Sequence, residues 1–420
     1  MTNKKTTLYT RIITLSSILL LGCIVVCCLR WKAWFGNPPE HPYTIPAYPN
    51  RIVLTMAPSH EYNWRRIAWR CDTIPSTAHL ELIHTNTNDT SFLKATNRIV
   101  KTRRGTEAHF EVIFPVQRGE YIYRVHNDSI HSTYHSFYVQ EDACSKILVL
   151  GDLQDESPLP IAQLLEDIYN LHPDLDMCAF TGDLIERPTD HYWNVWHASV
   201  APIVGKLPIV ACPGNHEHIK GWKRQLDERW VATFGETDIE HANNGNAIYS
   251  GTNFQLAALN SDVSFRFWLM KQQRYALQQN WDTPSHQWRI MLSHHPFFTI
   301  GAGRHASLTR GIWKDFVHEH GVHLLLNGHD HVFARMVSRH NNTLSTPVYM
   351  VCNSSQKQYT PKQQTRFERI AANQRFYTLL SITSDSLWVH TYTADNHTLY
   401  DALLCQRTPQ GVVVTELVEY

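Results

Sequence analysis

The first long apolar stretch of the chain runs from residue 12 to residue 29 without a charge, and basic residues flank it on both sides. A helix of this length rises about 27 Å, close to the thickness of the hydrocarbon core of a bilayer. Trp31 and Trp34 follow at the position of an interfacial aromatic belt. The pattern predicts a signal anchor, an uncleaved transmembrane helix, within residues 1–36.

A second interpretation of the same stretch stays open. The run Leu20-Leu21-Gly22-Cys23 resembles a bacterial lipobox, with Cys23 as the lipidated residue, although the chain continues apolar after that cysteine. A buried helix of a soluble protein is the third alternative. The first two imply a protein attached to the membrane by a helix or a lipid, with the rest of the chain outside the cytoplasm, in the periplasm or at the cell surface.

Two different patterns follow the apolar stretch. Residues 37–49 are rich in proline, which predicts an extended linker. Residues 50–142 contain short runs in which polar positions alternate with aromatic and β-branched ones, for example at 66–70, 121–125 and 136–139. Alternation at period two with frequent breaks predicts a small all-β sandwich domain of about 90 residues.

From residue 143 to 420 the pattern is that of an α/β domain. Five apolar strands end directly in potential metal ligands, in the runs Gly151-Asp152, Gly182-Asp183, Gly214-Asn215-His216-Glu217, Ser293-His294-His295 and Gly328-His329-Asp330-His331. After the first strand, a helical apolar face is formed by Ile161, Leu164, Leu165 and Ile168. Because ligand sites of α/β sheets lie at the carboxyl ends of the strands, we expect the five runs to converge.

Composition narrows the classes of function. The chain has 420 residues with 38 Lys+Arg against 38 Asp+Glu, so it lacks the basic excess of a nucleic-acid binder, and no such partner is expected. The 26 histidines invite a search for metal ligands. The cysteines include no CxxC pair beyond the anchor, which excludes a zinc ribbon; a Cys71–Cys144 disulfide and isolated buried thiols both remain possible.

Taken together, the five runs resemble the calcineurin-like metallophosphoesterase family. The preceding β-sandwich, including the run from Gly119 to Val125, is similar to the fibronectin III-like N-terminal domain of purple acid phosphatases. The resemblance covers about residues 50 to 405. It implies a four-layer αββα sandwich and a hydrolase of phosphate monoesters that uses a metal-bound hydroxide. Together with the N-terminal apolar stretch, this predicts an exported, membrane-tethered enzyme.

The resemblance also implies a set of ligands for two metal ions, which would be Fe, Zn or Mn. Asp183 would bridge the ions. Asp152 and His331 would hold the first ion, and Asn215, His294 and His329 the second. His216 would bind the phosphoryl oxygens or protonate the leaving group. Asp330 would orient a ligand imidazole from behind.

The sequence departs from the family at two positions. Purple acid phosphatases carry a metal-binding tyrosine three residues after the bridging aspartate, where this chain has Glu186. Other branches carry Asp-x-His in the first run, where this chain has Gln154. Gln154 could coordinate the first ion through its carbonyl or hold a water, and Glu186 could be a ligand or a carboxylate behind the site. We predict a protein without purple colour.

Two further residues and two alternative functions complete the hypothesis. His295 lies next to a ligand, and Arg304 lies on the glycine-rich loop after the fourth strand; either could contact the substrate or have no role there. The same metal core could hydrolyse phosphodiesters or nucleotides. The chain could also be a degenerate enzyme that serves as a surface binding module.

Overall fold

A computed structural model of the chain describes residues 2–58, 62–140, 144–235, 246–263, 266–281, 286–340, 343–362 and 366–418. Contacts divide the chain into two compact units. Unit 1 comprises Met1–Pro39 and Ile219–Gln225, and unit 2 comprises Glu40–His218 and Leu226–Tyr420.

Unit 1 consists of the N-terminal helix α1 (Thr2–Phe35) and the short segment Ile219–Gln225. The part of α1 from Arg11 to Phe35 is, within the described residues, the one helix long and apolar enough to cross a membrane. Trp222 packs against Phe35 with ring centroids 5.0 Å apart, although 90% of Trp222 remains exposed. The apolar helix is therefore a candidate anchor or signal.

The first part of unit 2 is built from strands alone. These are β1 (Asn50–Met56), β2 (Trp64–Cys71), β3 (Ala78–His84), β4 (Asp89–Lys94), β5 (Thr96–Thr102), β6 (Gly105–Pro115), β7 (Gly119–Asn127), β8 (Ile130–His131) and β9 (His135–Val139). β1, β2, β6 and β5 form one antiparallel ladder, and β4, β3, β7, β8 and β9 form another. The three predicted strand runs lie in β2, β7 and β9.

The two ladders enclose an apolar core that includes Trp69, Phe110 and Tyr123, so this part of the chain is a two-sheet arrangement. It is not a detached body, however. Thr55 of β1 pairs with Ile209 in the next part of the chain, and contacts leave both parts in one unit.

The second part of unit 2 alternates strands and helices. Its helices are α2 (Leu159–Leu171), α3 (Asp190–Ser199), α4 (Glu228–Phe234), α5 (Phe267–Trp281) and α6 (Ser307–Glu319), with 3-10 turns at Asn215–Glu217 and Ser261–Val263. Its first strands are β10 (Ser145–Leu150), β11 (Met177–Phe180), β12 (Ile209–Ala211), β15 (Ala247–Ser250), β16 (Phe254–Leu259), β17 (Trp288–Ser293) and β18 (Leu324–Asn327). The two-residue strands β13 (His218–Ile219) and β14 (Gln225–Leu226) each span a boundary of the segment assigned to unit 1.

The last seven strands are β19 (Phe333–His340), β20 (Thr343–Val351), β21 (Arg369–Ala371), β22 (Phe376–Ile382), β23 (Ser386–Thr393), β24 (Leu399–Thr408) and β25 (Gly411–Glu416). The five strands predicted to carry ligands are β10, β11, β12, β17 and β18. β10, β11 and β12 are parallel neighbours, and so are β17 and β18.

Three cores organise the layers of this region. Apolar residues of β10 to β12 and of β15 to β18 share one core, which lies between the two arms of the sheet. The helices α2, α3 and α4 cover the arm of β10 to β12, and α5 and α6 cover the arm of β15 to β18. The predicted face of α2 is buried as expected. This α/β fold aligns the strand ends that carry the predicted ligands.

The proline-rich segment, predicted to be an extended linker, makes buried contacts with the rest of the chain. It has no helix or strand between residues 36 and 49, but from Glu40 onward it is fixed to unit 2. Glu40 is only 4% exposed, and one of its carboxylate oxygens accepts from Arg229 and from the backbone N–H of Asp190. The Tyr43 hydroxyl donates to Glu107 over 2.7 Å.

Arg229 is the centre of this buried cluster. Its guanidinium also donates to Glu107 at 2.8 Å and to Asp227 at 3.0 Å. Its partners thus come from the proline-rich segment, from β6 and from the residue before α4. A buried cation shared by three carboxylates ties distant parts of the chain together.

Among the described residues all nine cysteines are free. The Cys71 thiol donates to the carbonyl of Ala47 at 3.2 Å, and Cys178, Cys212, Cys352 and Cys405 are buried. The structure therefore agrees with isolated thiols and not with a Cys71–Cys144 disulfide.

Candidate metal centre

The predicted ligands leave the strand ends on a sharply turned backbone. Asp152, Asp183, His329 and His331 all have left-handed φ angles, between 48° and 75°. Residues other than glycine rarely adopt this conformation, and it is found mainly where surrounding structure enforces it at functional sites. The turns direct side chains from separate strands into one place.

The side chains come together in two groups that share Asp183. Ligand atoms of Asp183, His294 and His329 lie within 4.8 Å of one another, and so do those of Asp152, Asp183 and His331. A carboxylate common to two such groups is the arrangement that bridges a pair of cations. The predicted bridging position of Asp183 therefore agrees with the geometry.

Backbone carbonyls fix which ring nitrogen of two histidines faces the site. Nδ1 of His294 lies 3.0 Å from the carbonyl oxygen of Thr181, and Nδ1 of His331 lies 3.0 Å from that of Lys357. In each case Nδ1–H donates to the carbonyl, which leaves the lone pair of Nε2 directed into the site.

The spacing of the convergent atoms matches a metal coordination shell. Nε2 of His294 lies 3.0 Å from Oδ2 of Asp183 and 3.1 Å from Nδ1 of His329. Two ligands bound at right angles to an ion at about 2.1 Å are ~3.0 Å apart. Oδ1 of Asn215 is buried and has no hydrogen-bond partner among the described residues. These residues fit a pair of metal ions.

Electrostatics also favour a cation at this place. Burial raises the pKa of Asp152 to about 7 and lowers that of His331 to about 3. Burial acts to lower the pKa of His294, but the carboxylates of Asp183 and Asp152 outweigh it and raise that pKa to about 9. Burial likewise acts to raise the pKa of Asp183, but the charges of His294 and His216 hold it well below its usual range. Cations would stabilise this buried carboxylate charge.

The run after β12 places His216 at the edge of the site. Its backbone N–H donates to Oδ1 of Asp183 at 2.9 Å. Nδ1 lies 2.6 Å from the carbonyl oxygen of Glu186, while Nε2 faces Oδ2 of Asp183 at 3.9 Å. His216 is thus held beside the shared carboxylate with one ring nitrogen turned toward it.

Glu217 is a further residue of the site whose role the sequence does not reveal. Its fully buried carboxylate accepts backbone N–H bonds from Asp183, Leu184, Ile185 and Gly214, at 2.6 to 3.1 Å. It thereby holds together the loops that carry Asp183 and Asn215. The signal was present in the Asn215-His216-Glu217 run, but the sequence did not show where the carboxylate points.

Gln154 and Glu186, the two residues at which the sequence departs from the family pattern, occupy different places in the site. The hydrogen-bond network orients the buried Gln154 amide with its nitrogen toward Oδ2 of Asp183, at 3.0 Å, and its oxygen 3.1 Å from Nε2 of His331. Gln154 is therefore among the convergent atoms. Glu186 belongs to neither group of ligand atoms, and its carboxylate lies 2.8 Å from Arg187 and 3.6 Å from Nδ1 of His216. Of its two alternatives, the geometry favours a carboxylate behind the site.

Three further predicted residues, His295, Arg304 and Asp330, lie on the side of the site that is formed by His329. The His295 ring is 4.3 Å from that of His329, and its Nδ1 is 2.9 Å from Oγ of Ser261. Arg304 lies 3.4 Å from Asp330. Burial and the neighbouring histidines lower the pKa of His329 well below its usual range, and the charge of Arg304 adds to the effect.

Asp330, predicted to orient a ligand imidazole, makes its hydrogen bonds elsewhere in this structure. Among the described residues, its carboxylate bonds are made to a loop and not to an imidazole. Oδ2 accepts from the backbone N–H groups of Ile300 and Gly301 at 2.6 and 2.9 Å. Asp330 thus holds the loop that leads to Arg304.

Gly214 is expected to be essential for this geometry. A Cβ at Gly214 would overlap Oδ1 and the backbone nitrogen of Asp183. We expect Gly214→Ala to displace Asp183 and to weaken metal binding at least about ten-fold, as measured by metal content after dialysis. Gly311→Ala is the matched control, since a Cβ there meets open space in α6. Equal metal content in both variants would contradict this account.

Comparisons with known proteins agree with the geometry. Residues 145–333 match the family model described as Calcineurin-like phosphoesterase. Purple acid phosphatase 23 of Arabidopsis thaliana is 21% identical over 229 residues, which cover 51% of this chain and 47% of that protein. The chain thus spans about half the length of the curated relatives it matches.

Solved structures show the same fold. Purple acid phosphatase PPD1 from yellow lupin (Lupinus luteus) seeds aligns with a TM-score of 0.71 at 15% identity, covering 87% of this chain and 76% of that one. A structure of PhoD aligns with a TM-score of 0.60 at 12% identity, covering 91% and 94%. Residues 145–333 are therefore similar to a calcineurin-like phosphoesterase domain, and the chain shares the fold of a purple acid phosphatase.

Proposed function

We propose that the protein is a binuclear metal-dependent phosphohydrolase that acts on phosphate monoesters. The observation that carries this proposal is the shared position of Asp183 between two groups of ligand atoms. The match of residues 145–333 to the phosphoesterase family supports it, because that span contains every residue of the two groups.

Each ion has its own set of side chains. Asp152, His331 and Gln154 would hold the first, and Asn215, His294 and His329 the second, with Asp183 common to both. When bound, the pair of cations would supply Lewis-acid activation of the phosphoryl group and of the attacking water. The oxygen and nitrogen ligands are compatible with Fe, Zn or Mn.

The remaining residues would position the ester. His216 has Nε2 directed toward Asp183 and is the group best placed to bind a phosphoryl oxygen or to protonate the leaving oxygen. His295, whose ring is tilted against that of His329, would be a second contact of the same kind. Arg304 is turned toward Asp330, so it would have to leave that carboxylate to reach the ester.

The absence of tyrosine at position 186 has a visible consequence. The colour of purple acid phosphatases comes from a tyrosine bound to ferric iron, and Glu186 stands at the matching position here. We propose that the metal-loaded protein has no absorption band of this kind. A purple iron-loaded protein would contradict this assignment.

The N-terminal helix and the β-sandwich define the setting of the enzyme. We propose that α1 tethers the protein to the membrane, by the helix itself or by a lipid on Cys23, with the catalytic region outside the cytoplasm. We also propose that residues 50–142 are the fibronectin III-like domain found before the catalytic domain of purple acid phosphatases. The apolar exposed helix and the two-sheet core support these proposals.

The function can be tested with the full-length chain in detergent. The protein is stripped of metal, then supplied with Mn, Zn or Fe, and assayed with p-nitrophenyl phosphate and bis(p-nitrophenyl) phosphate from acid to alkaline pH. We expect turnover only with metal, and faster turnover of the monoester. Faster turnover of the diester would replace the monoester assignment, and no turnover of either would favour the binding module.

A further inference from the structure

The loop after β20 brings Lys357 to the metal centre by a fixed route. The backbone N–H of Ser354 donates to the carbonyl of Gly151 at 2.9 Å, and its hydroxyl accepts from Gly151 N–H at 3.2 Å. The carbonyl of Lys357 accepts from Nδ1 of His331. The loop is thus fastened both to the end of β10 and to a predicted metal ligand.

The ammonium group of Lys357 lies one amide group away from the shared carboxylate. Nζ is 3.0 Å from the oxygen of Gln154, whose nitrogen donates to Oδ2 of Asp183. The Lys357 side chain is 36% exposed, so its charge can meet a ligand that enters from solvent. Lys357 lies outside residues 145–333, the part that matches the family model.

The positive charge of Lys357 is not neutralised by a carboxylate at hydrogen-bonding distance. Gln154 is neutral, and the carboxylate of Glu186 is 3.9 Å away. That carboxylate is closer to Arg187, at 2.8 Å. The Lys357–Glu186 pair is long and only partly buried on the Lys357 side, so it contributes little, whereas a lysine with three donors binds a phosphate as a point charge.

We propose that Lys357 binds the phosphoryl oxygens of the substrate. It would supply a positive charge on the side of the site where Gln154 and Glu186 differ from the family pattern. The inference rests on the proposed phosphohydrolase function and extends it to the substrate group that is recognised. Lys357 would contact the ester directly and would not hold metal, since an ammonium group has no lone pair to offer.

Inorganic phosphate is the probe that tests this role without relying on turnover. Its affinity for the metal-loaded, full-length protein is measured by calorimetry for the wild type, Lys357→Gln, Lys357→Arg and Lys362→Gln. Lys362 is an exposed residue of the same loop and serves as the matched control. The metal content of each variant is measured in the same samples.

We expect Lys357→Gln to bind phosphate about ten- to a hundred-fold more weakly while keeping its metal. Lys357→Arg should keep most of the affinity, and Lys362→Gln all of it. Unchanged phosphate affinity in Lys357→Gln, or loss of its metal, would overturn the inference. Failure of the wild type to hydrolyse any ester would instead contradict the proposed function.

Discussion

Replacing Asp183 by asparagine is expected to lower kcat/KM for the preferred phosphate ester by about a thousand-fold or more. Asp183 is fully buried, and its carboxylate belongs to both groups of ligand atoms. A neutral amide would remove the negative charge that holds two cations together, and with it their action on the phosphoryl group. The measurement is steady-state hydrolysis at saturating metal.

The matched control for this variant is Asp174→Asn. Asp174 is a surface residue that pairs with Lys146 and lies away from the ligand groups. We expect it to keep wild-type activity, because exposed ion pairs contribute little to stability. If Asp183→Asn retained activity near that of Asp174→Asn, a bridging role for Asp183 would be excluded.

Replacing Arg229 by methionine is expected to lower the free energy of unfolding by about 3 to 5 kcal/mol. Arg229 is 2% exposed, and it donates to Glu40, Glu107 and Asp227. Its loss would leave three buried carboxylates without their common cation. Urea unfolding of the full-length chain, followed by tryptophan fluorescence, measures the change.

Arg274→Met provides the comparison. Arg274 pairs with Glu319 at 3.5 Å on the surface, with both side chains partly exposed. This variant should change the free energy of unfolding by less than about 1 kcal/mol. Equal stabilities of the two variants would show that the buried cluster does not hold the proline-rich segment to unit 2.

The convergence of the five runs could be predicted from sequence for a physical reason. Each ligand directly follows a short apolar strand, and parallel strands present their carboxyl ends at one edge. The proximity of Asp152, Asp183 and His294 can therefore be predicted without knowing the structure of the loops between them. The glycine before each aspartate allows the close approach that side chains at those positions would block.

The contacts that the sequence does not show depend on side-chain direction or on distant pairing. Asp330 is an example of the first, since its carboxylate accepts from the backbone N–H groups of residues 300 and 301. Lys357 follows β20, which pairs with β18. The sequence does not show this pairing, because it does not reveal the order of the strands in the sheet. The sequence does contain a sign of Lys357, since β20 is an apolar strand that ends in a polar run, as do the five strands predicted to carry ligands.

The role of Glu40 could not be predicted because its partners are far along the chain. Arg229 lies 189 residues away from it. A proline-rich composition indicates an extended backbone. It does not reveal that Glu40 of this segment pairs with a buried arginine.

Two ions are expected to bind on either side of Asp183, and the proposed function depends on this. Anomalous diffraction from crystals of the full-length protein soaked in Mn or Zn tests it directly, and does not depend on finding the substrate. The account predicts two strong peaks about 3.5 Å apart, one near Asp152 and His331 and the other near His294 and His329. A single peak, or ions bound elsewhere, would contradict it.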